Sequence, residues 1–349
     1  FHIWLQRNRE NGKKAMNEKA SFCSVAVVGA GISGLCAAKY LSAAGHDVHV
    51  FDKSRGPGGR MSTRRQDGHE FDHGAQYFTV RDVEFRDAVE LWRNRRLIEV
   101  WPGRIVNIAN GVVRDDHETL ERFVPVPRMN ALCRDLSDAL NVTFEARVSR
   151  VERIKGAWNV TINEQKESGP FDKIVVTPPP EQTIEILTTA APRLIHQIAT
   201  VEMLPCWTVM IAFEESIDVE WDGAFVFESP LSWVARNSSK PGRAQGETWV
   251  IHGSPAWSEA HIETDPASVG EELVAAFFEA TGASKTKPTF KNIHRWRFAK
   301  TKKSLDTGFL YDSELGIGVC GDWCRGDRVE DAFMSGLALA KAISESMIS

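Results

Sequence analysis

Short apolar runs alternate with polar and glycine-rich turns along most of the chain, and this pattern predicts a mixed α/β protein. The run Val25–Val28 leads into a glycine-rich turn, an alanine-rich helix and a second strand that ends at Asp52. A strand, a helix and a second strand in this order form a βαβ unit with a parallel sheet. The apolar run 173–177 stops at three consecutive prolines, which indicates a strand that returns to the same sheet.

The rest of the pattern divides into helical stretches and short β-prone runs. We expect helices over about 82–96, 128–140, 267–280 and 329–346, and strands near 142–153, 158–162, 207–213, 223–227, 232–235, 247–252, 292–298 and 315–320. Between about 200 and 300 the β-prone runs are separated by Pro, Gly and Ser turns. This region is therefore expected to form an antiparallel sheet with one helix.

Composition and charge narrow the possible functions. The chain has 349 residues and a formal net charge of −5, whereas nucleic-acid-binding proteins usually carry a basic excess. Its longest apolar runs are too short to cross a bilayer. Six cysteines in a chain of this length do not suggest a disulfide framework, so we expect a reducing, cytoplasmic compartment.

The first 20 residues are polar and charged, without the sustained apolar stretch of a secretory signal. We expect residues 1–20 to be disordered or an extraneous extension. Met16 is a candidate start of the mature protein, which would make residues 1–15 an upstream addition.

The turn Gly29–Gly34 carries the spacing of a dinucleotide-binding fingerprint. Gly29 permits the tight turn, Gly31 allows the backbone to approach a pyrophosphate, and Gly34 allows the helix to pack closely on the strand. The helix N-terminus offers free N–H groups and the positive end of its dipole to the phosphates. Asp52 is placed to accept hydrogen bonds from ribose hydroxyls. These features predict an ADP-containing cofactor; the alternative is a glycine-rich turn in an ordinary α/β domain.

Two further glycine-bearing segments follow the βαβ unit. The first covers 53–61 and ends in Arg60 and Met61, and the second is the turn Gly74–Phe78. Because glycine tolerates positive φ and close backbone approach, we expect a ligand to lie against the first loop. The guanidinium of Arg60 suits a pyrophosphate, although a surface arginine is the alternative interpretation.

Near the C-terminus a strand, the pair Gly321-Asp322 and an amphipathic helix follow one another. Flavoproteins hold a ribityl chain with this arrangement, because the carboxylate accepts hydroxyl hydrogen bonds and the helix dipole stabilises negative charge on the reduced ring. Together with the N-terminal unit, it favours FAD over NAD as the tightly bound cofactor. No cysteine lies in an obvious position for covalent attachment, so FAD is expected to be non-covalent. No metal site is predicted.

The expected fold class is therefore α/β, with a Rossmann-like FAD-binding domain interleaved with an antiparallel-sheet substrate domain. We assign 21–80, 141–180 and 300–349 to the FAD-binding domain, and 81–140 and 181–299 to the substrate domain.

From residue 24 onward the chain resembles the renalase family, and its bacterial members most closely. The resemblance is carried by Gly29–Gly34, Phe51–Met61, Gly74–Phe78, Cys320–Cys324 and the strand segment Trp249–His252. Many amine-oxidase-like flavoproteins share the Gly-Gly-Arg part. The tract 51–61 in combination with the Gly-Asp-Trp-Cys segment is specific to a much smaller group of proteins. The resemblance implies the two-domain fold of the hydroxybenzoate-hydroxylase and amine-oxidase group.

The resemblance also implies a reaction and its partners. Renalases oxidise mis-reduced isomers of NAD(P)H, which carry the hydride at ring position 2 or 6, back to NAD(P)⁺. The flavin N5 atom takes the hydride, and O₂ is the expected acceptor, giving H₂O₂. The expected partners are thus a dihydronicotinamide dinucleotide and O₂. The sequence does not determine the preferred isomer, the choice between NAD and NADP, the physiological electron acceptor or the oligomeric state.

The motifs and the resemblance together nominate two sets of site residues. The candidate catalytic residues are His252, Trp296, Tyr77 and Arg128, of which His252 would orient the carboxamide and Trp296 would stack on the ring. An ordinary core position on a strand is the alternative for Trp296. The predicted FAD contacts are Gly29, Gly31, Ile32, Ser33, Gly34, Asp52, Lys53, Arg60, Met61, Gly74, Ala75, Gln76, Tyr77, Val148, Thr177, Gly321, Asp322, Val329, Glu330 and Ala332.

Other flavoprotein functions compete with this interpretation. An amine oxidase typically uses a pair of aromatic rings, usually with a tyrosine, and the chain has only three tyrosines. A carotenoid or protoporphyrinogen desaturase-like enzyme would need an apolar membrane-binding patch, and an aromatic monooxygenase would need a transient NADPH site. A flavin-binding sensor without turnover is the non-enzymatic alternative.

Overall fold

The computed structural model of the protein describes residues 22–188 and 190–347. The predicted extension 1–20, with Met16, therefore lies outside the described residues. In chain order the strands are β1 (Ser24–Val28), β2 (Asp47–Phe51), β3 (Arg64–Gln66), β4 (His69–Phe71), β5 (Ile98–Val100), β6 (Ile105–Ala109), β7 (Val112–Asp115), β8 (Phe123–Pro125), β9 (Asn141–Thr143), β10 (Val148–Ile154), β11 (Ala157–Ile162), β12 (Lys166–Phe171), β13 (Lys173–Val176), β14 (Glu202–Phe213), β15 (Gly223–Phe227), β16 (Leu231–Arg236), β17 (Glu247–Gly253), β18 (Phe290–Lys303), β19 (Leu310–Asp312) and β20 (Ile317–Val319). The α-helices are α1 (Ile32–Ala43), α2 (Val83–Asn94), α3 (Ala131–Ser137), α4 (Pro180–Leu187), α5 (Pro192–Ile198), α6 (Pro255–Ala260), α7 (Pro266–Thr281) and α8 (Val329–Glu345).

A six-stranded sheet in the order β19-β20-β13-β1-β2-β9 contains the predicted βαβ unit. All its neighbouring strands are parallel except β19, which pairs antiparallel with β20 at the edge. Because the strands are parallel, their carboxyl ends meet along one edge of the sheet, which is where ligands bind in open α/β sheets. Gly29, Asp52 and Thr177 directly follow the ends of β1, β2 and β13 at this edge.

The helices α1 and α8 pack against each other beside this sheet. Gly336 of α8 permits the close approach, because a Cβ at this position would overlap the carbonyl oxygen of Ser33 in α1. Two residues after the end of α1, Gly45 turns the chain with a φ of 103°, a left-handed conformation that favours glycine. The N-termini of α1 and α8 lie near the carboxyl edge of the sheet, so both helix dipoles present their positive ends there.

A three-stranded antiparallel sheet, β10-β11-β12, lies between β9 and β13 in the chain. The prediction of one strand near 142–153 is wrong, because two strands in two different sheets occupy this stretch. The chain turns between them at Glu145, whose φ is 56°. A strand cannot continue through a left-handed residue, and the apolar pattern alone did not reveal this turn.

A seven-stranded sheet in the order β18-β14-β17-β16-β15-β6-β7 forms the second large layer. Its neighbours are antiparallel except for the parallel pair β6 and β15. The helix α7 covers one face of it, where Leu273 and Phe277 join a buried cluster with Trp249. The side chain of Asp265 caps the N-terminus of α7, and Gly282 ends it in a left-handed conformation. The predicted antiparallel sheet is thus found over 202–303, and β6 and β7 extend it. Two helices, α6 and α7, lie in this region where one was predicted.

The opposite face of this sheet carries a row of aligned side chains. In the strand register Trp233 is opposite His252, His252 is opposite Thr208, and Thr208 is opposite His294. Residues that are paired in register project from the same face of a sheet. The row therefore runs across β16, β17, β14 and β18 on the face turned away from α7.

The predicted α/β architecture is confirmed, with element boundaries that mostly follow the sequence pattern. The helices α4, α5 and α6 were not predicted, and α3 is shorter than the predicted 128–140. Residues Arg128 and Ala131 form a hydrogen-bonded turn before it, and Ala139 has a positive φ of 63° beyond it. In the described ranges, no helix combines the length and the apolarity that crossing a membrane requires.

Candidate functional site

A cavity of about 1300 Å³ lies between the carboxyl edge of the six-stranded sheet and the seven-stranded sheet. His252 and Trp296 line it. So do most of the predicted cofactor residues: Gly29, Gly31, Ile32, Ser33, Asp52, Lys53, Arg60, Met61, Gly74, Ala75, Gln76, Tyr77, Val148, Thr177, Gly321, Asp322, Val329 and Ala332. Small-molecule sites usually measure roughly 300–1,000 Å³, so this cavity has room for a dinucleotide beside a second ligand.

The turn before α1 forms a cradle for an anion. A Cβ added to Gly31 would meet no heavy atom within 4 Å among the described residues, so the backbone at Gly31 faces open space in the cavity. No side chain caps the N-terminus of α1 within the described part of the chain. The first N–H groups of the helix are therefore left for a ligand, as at the pyrophosphate sites of dinucleotide-binding folds.

Gly34 does not line the cavity. A Cβ at Gly34 would overlap the carbonyl oxygen of Gly29, which lies at the end of β1. Gly34 therefore allows α1 to pack on the strand, which is the role that the fingerprint assigns to the third glycine.

Asp52 holds the turn and also faces the cavity. Its Oδ2 accepts a hydrogen bond from the backbone N–H of Ala30 at 2.6 Å, and its Oδ1 accepts one from Ser54 at 2.7 Å. A carboxylate can accept about four hydrogen bonds, so acceptor capacity remains for hydroxyl groups of a ligand.

Arg60 and Asp322 form a bidentate ion pair in the middle of the cavity wall. Nη1 of Arg60 lies 2.7 Å from Oδ2 of Asp322, and Nη2 lies 2.5 Å from Oδ1. The side chain of Asp322 is buried, whereas Arg60 keeps 30% of its side-chain surface exposed. The sequence pattern assigned these two side chains to different parts of the cofactor and did not reveal that they pair.

The segment Asp72–Tyr77 passes close to this ion pair. The backbone N–H of Ala75 donates to the carbonyl oxygen of Arg60 at 2.9 Å, and a Cβ at Gly74 would overlap that same oxygen. Glycine is therefore required at position 74 for the two backbones to meet. The side-chain amide of Gln76 donates to the carbonyl oxygens of Asp72 and Gly74, which closes the turn.

A buried charged cluster, which the sequence analysis did not find, anchors this segment to the seven-stranded sheet. Oδ2 of Asp72 accepts from Nη2 of Arg243 at 2.6 Å, and Nζ of Lys240 lies 3.8 Å away. Lys240 also donates to Oε1 of Gln76 at 3.0 Å. Burial lowers the pKa of Lys240 to about 7. Burial alone would raise the pKa of Asp72, but Lys240 and Arg243 hold it below its usual value.

Two of the predicted site residues converge on one backbone oxygen. Nε1 of Trp296 donates to the carbonyl oxygen of His73 at 3.1 Å, and Nε2 of His252 lies 3.3 Å from the same atom. Both side chains come from the seven-stranded sheet, whereas His73 belongs to the segment that runs along the cavity. The two bonds fix the peptide that joins His73 to Gly74 at the cavity wall.

The histidines around this oxygen are neutral at physiological pH. Burial lowers the pKa of His73 to about 3, and burial lowers the pKa values of His252 and His294 to about 4 each. Arg64 further lowers the pKa of His294, because its guanidinium lies 3.0 Å from the ring Nδ1. The sequence analysis missed His294, although its position two residues before Trp296 on a β-prone run places both on one strand face.

Aromatic rings cover the cavity wall near Tyr77. Its ring centroid lies 5.6 Å from that of Trp233, and Phe225 lies 4.7 Å from Trp233. The guanidinium of Arg122 lies over the Tyr77 ring at 5.3 Å. Burial raises the pKa of Tyr77, so its phenol stays protonated.

Besides Gly34, two predicted site residues lie outside the cavity lining. Arg128 does not line the cavity and forms an ion pair with Glu70 at 2.7 Å. Glu330 also does not line it, because its Oε1 turns to the backbone N–H groups of Arg81 and Asp82, at 2.7 Å each. Glu330 was plausible in the sequence because its neighbour Val329 does line the cavity.

The geometry fits FAD. The open glycine cradle at Gly31 suits a pyrophosphate, Asp52 suits a ribose, and Asp322 with the N-terminus of α8 suits the ribityl chain and the flavin ring. These residues lie along one continuous cavity.

Two family models match the chain. Residues 27–93 match the NAD(P)-binding Rossmann-like domain, and residues 114–344 match the flavin-containing amine oxidoreductases. The second match covers well over half of the chain.

Curated relatives match only over a short stretch. A 4,4'-diapophytoene desaturase (4,4'-diaponeurosporene-forming) of Staphylococcus haemolyticus (strain JCSC1435) is 51% identical over 59 residues, which is 17% of this chain and 12% of that protein. The desaturase of the same description from Staphylococcus aureus (strain Newman) is 34% identical over 87 residues, which is 22% of this chain and 17% of that protein.

Solved structures with a similar fold cover nearly the whole chain. A putative protoporphyrinogen oxidase from Exiguobacterium sp. 255-15 superposes with a TM-score of 0.75 at 12% identity, over 94% of this chain and 100% of that one. Putrescine oxidase bound to putrescine gives a TM-score of 0.69 at 13% identity, over 93% of this chain and 99% of that one. At such identities the similarity concerns the fold alone.

Proposed function

Because the chain belongs to the family of flavin-containing amine oxidoreductases, we propose that it is a renalase-like, FAD-dependent oxidase of dihydronicotinamide dinucleotides. The substrate is an isomer of NADH or NADPH that carries the hydride at ring position 2 or 6. When bound, FAD accepts this hydride at N5 and returns the electrons to O₂, giving NAD(P)⁺ and H₂O₂.

The charge balance of the cavity carries this proposal. The whole chain has a net charge of −5, but nine basic and six acidic side chains line the cavity. The basic ones are Lys53, Arg60, Arg81, Arg122, Arg147, Arg295, Arg297, Lys300 and Arg328, and the acidic ones are Asp52, Asp116, Glu118, Glu185, Asp322 and Asp327. A cavity lined by more basic than acidic side chains attracts anions. Six of the nine basic side chains form ion pairs, and Arg295 and Arg297 share Glu263, which does not line the cavity. Lys53, Arg147 and Arg328 are the basic groups that we propose for the pyrophosphates of the cofactor and the substrate.

The residues of the wall have distinct roles in this proposal. Trp296 offers an aromatic surface against which a nicotinamide ring packs, and its bond to His73 holds the indole in place. His252 orients the carboxamide of the substrate. No general acid or base is needed, since a hydride leaves the ring without a proton, and the neutral state of His252 agrees with this. Arg128 has no part in the reaction, because it lies outside the cavity.

An amine is the competing substrate class, and the pair Tyr77 and Trp233 is the observation that favours it. Aromatic rings of this kind attract a substrate cation. In this chain, however, the guanidinium of Arg122 already lies over the Tyr77 ring at 5.3 Å. The ion pair of Arg122 with Asp116 holds the guanidinium on this ring face, so the face is not open to an ammonium group, and the geometry supports the dinucleotide better.

FAD is proposed to be non-covalent. Cys206 is the cysteine that lines the described cavity, and burial raises the pKa of its thiol to about 12. Its Sγ lies 3.4 Å from the carbonyl oxygen of Trp207, so the thiol is protonated and engaged. Acid precipitation should leave the yellow colour in the supernatant, and colour in the pellet would contradict non-covalent binding.

The remaining parts of the proposal concern organisation. The FAD-binding domain comprises 21–80, 141–180 and 300–349, and the substrate domain comprises 81–140 and 181–299. The six cysteines all carry free thiols, which supports a reducing, cytoplasmic compartment.

A peroxide assay with a substrate panel tests the proposal. The purified yellow protein would be incubated in air with borohydride-reduced NAD⁺, which contains the 2- and 6-dihydro isomers, with ordinary 4-dihydro-NADH, and with putrescine and benzylamine. We expect H₂O₂ to form only with the 2- or 6-dihydro isomers. If H₂O₂ formed only with an amine, the proposal would be wrong and the protein would be an amine oxidase.

A further inference from the structure

The side chain of Lys240 carries its amino group in a place that solvent does not reach. Its exposed fraction is 0%, and the side chains of its charged neighbours Asp72 and Arg243 are 1% and 3% exposed. Lysine is almost never fully buried in proteins, because desolvation disfavours its charged form. The proposed function gives this buried group no role.

The cluster around Lys240 holds more positive than negative charge. Both oxygens of Asp72 already have partners, since Oδ2 accepts from Arg243 and Oδ1 accepts from the hydroxyl of Thr63 and the backbone N–H of Met129. Nζ of Lys240 lies 3.8 Å from Oδ2, which is longer than a hydrogen bond. Asp72 and Arg243 are the charged groups that shift the pKa of Lys240. When Lys240 is protonated, two positive charges therefore accompany one negative charge.

This excess charge lies directly behind the cavity wall. Nζ of Lys240 donates to Oε1 of Gln76 at 3.0 Å, and Gln76 lines the cavity. Nζ also lies 5.5 Å from the ring centre of Trp101, and this ring is 6.3 Å from that of Tyr77 in the same wall. The charge reaches His252 on β17 as well, because Lys240 helps to lower the pKa of that histidine. Lys240 itself is not part of the lining, so one layer of side chains separates it from the cavity.

The wall in front of Lys240 belongs to the flavin end of the proposed cofactor site. The four residues Gly74–Tyr77 all line the cavity, and the N–H of Ala75 donates to the carbonyl oxygen of Arg60. Arg60 in turn pairs with Asp322, the residue that suits the ribityl chain. Lys240 is thus connected through Gln76 to the part of the site where the ring is expected.

A hydride consists of one proton and two electrons, so it brings one negative charge to a neutral flavin ring. A positive charge held close to the ring in a place without water favours the charged, reduced form. The effect is larger than in water, because the effective dielectric constant inside a protein is low.

We propose that the protonated side chain of Lys240 is a buried positive charge that stabilises the reduced state of bound FAD. Lys240 acts through the wall and does not touch the cofactor, so it is a positioning residue for charge. Burial lowers the pKa of Lys240 to about 7, so the charge is present below neutral pH and is lost above it. The inference rests on FAD binding but not on the identity of the substrate, since every hydride donor gives the ring the same charge.

Thermodynamic linkage provides a test in the wild-type holoenzyme. If protonated Lys240 stabilises reduced FAD, reduction of FAD must raise the pKa of Lys240 by an equivalent amount. Holoenzyme labelled with ¹³C at the lysine Cε atoms would be titrated by NMR, first oxidised and then after anaerobic reduction with dithionite. The Lys240 signal is assigned by its absence from Lys240→Met or Lys240→Arg. We expect its pKa to rise by about 1 on reduction, which corresponds to a tenfold effect. The same pKa in both states would overturn the proposal.

Reduction potentials distinguish the charge of Lys240 from its packing. Lys240→Met keeps an unbranched side chain and leaves the pair of Asp72 with Arg243 in place. At about pH 6 this variant should lower the midpoint potential of bound FAD by about 30 mV, the equivalent of a tenfold change for a two-electron couple. At about pH 8.5 the difference from the wild-type protein should vanish, because Lys240 is then neutral. An unchanged potential at the lower pH, or an equal difference at both pH values, would overturn the proposal.

Two further variants complete the comparison. Lys240→Arg restores a charge that does not titrate, and should keep the potential at or above the wild-type value at both pH values. Lys287→Met, on the exposed loop before β18, is the matched control and should leave the potential unchanged. Dithionite reduces FAD without any substrate, so these results do not depend on the proposed reaction. Failure of the proposed function would instead appear in the peroxide assay, as the absence of turnover with dihydronicotinamides.

Discussion

The guanidinium of Arg60 and the carboxylate of Asp322 form a bidentate pair, with nitrogen–oxygen distances of 2.7 and 2.5 Å. The pair joins the glycine-rich loop after β2 to the turn between β20 and α8. Each of these segments lines the cavity. The pair therefore connects the two ends of the FAD-binding unit at the point where the cofactor is expected to lie.

Loss of this pair should weaken FAD retention. Asp322→Asn keeps the shape of the side chain but removes its charge, so Arg60 loses a charge-assisted bond in a partly buried place. We expect the dissociation constant of FAD to rise by roughly tenfold to a hundredfold, measured by flavin fluorescence during ultrafiltration. Asp218→Asn, on an exposed loop, serves as the control. Unchanged FAD retention in Asp322→Asn would show that the pair does not support the site.

Two glycine substitutions should separate cofactor binding from folding. In Gly31→Ala the new Cβ meets no described heavy atom within 4 Å, so the apoprotein should keep its Tm while FAD affinity falls. In Gly34→Ala the Cβ overlaps the carbonyl oxygen of Gly29, and we expect a loss of about 1–3 kcal/mol in the free energy of unfolding. Thermal unfolding of both apoproteins and FAD titration provide the comparison. A Gly31→Ala protein with normal FAD affinity would contradict the cradle.

The buried cluster around Asp72 should be important for stability. Asp72→Asn leaves Lys240 and Arg243, whose side chains are 0% and 3% exposed, without their counter-charge. We expect a loss of about 3–5 kcal/mol in the free energy of unfolding, measured by urea denaturation. Asp67→Asn, on an exposed turn, should stay within about 0.5 kcal/mol of the wild-type protein. Equal stability of the two variants would mean that Asp72 does not hold the cluster together.

The buried histidines predict a loss of stability on acidification. The pKa values of His73, His252 and His294 in the folded protein lie at about 3, 4 and 4, whereas an unfolded histidine titrates near about 6.5. Below about pH 6.5 the unfolded chain therefore binds protons that the folded protein does not. The stability contribution is fully present above this pH and is lost as the pH falls toward about 4, by up to about 1.4 kcal/mol per pH unit for each histidine.

Urea unfolding at several pH values between about 7.5 and about 4.5 measures this effect. The double variant His252→Gln/His294→Gln should show a shallower dependence on pH, because two of the three groups no longer titrate. An identical slope in the wild-type and double-variant proteins would exclude these histidines as the cause.

The sequence predicted those parts of the fold and site that depend on local pattern. The glycine spacing of Gly29–Gly34 and the apolar runs around it determine the βαβ unit, because turn geometry and strand periodicity are properties of neighbouring residues. The Gly321-Asp322 turn was recognisable for the same reason. These elements provide Gly29, Gly31, Asp52, Gly321 and Asp322 to the lining of the cavity.

The features that the sequence did not reveal depend on contacts between distant segments. Lys240 stands in a polar turn in the sequence, yet its ammonium is buried against Asp72 and Gln76. His294 lines the cavity because of the strand register that places it beside Trp296, and Arg64 binds its ring. Arg128 was a candidate site residue, but its guanidinium pairs with Glu70 outside the cavity lining.

The most direct test of the proposed function is anaerobic mixing of the FAD-loaded protein with purified 2-dihydro, 6-dihydro and 4-dihydro isomers of NADH in a stopped-flow spectrophotometer. The visible absorption band of the flavin reports reduction within a single turnover, without dependence on O₂. We predict rapid bleaching by the 2- or 6-dihydro isomer and none on this timescale by 4-dihydro-NADH. Bleaching by 4-dihydro-NADH alone, or by none of the three isomers, would contradict the assignment of this protein as a dihydronicotinamide oxidase.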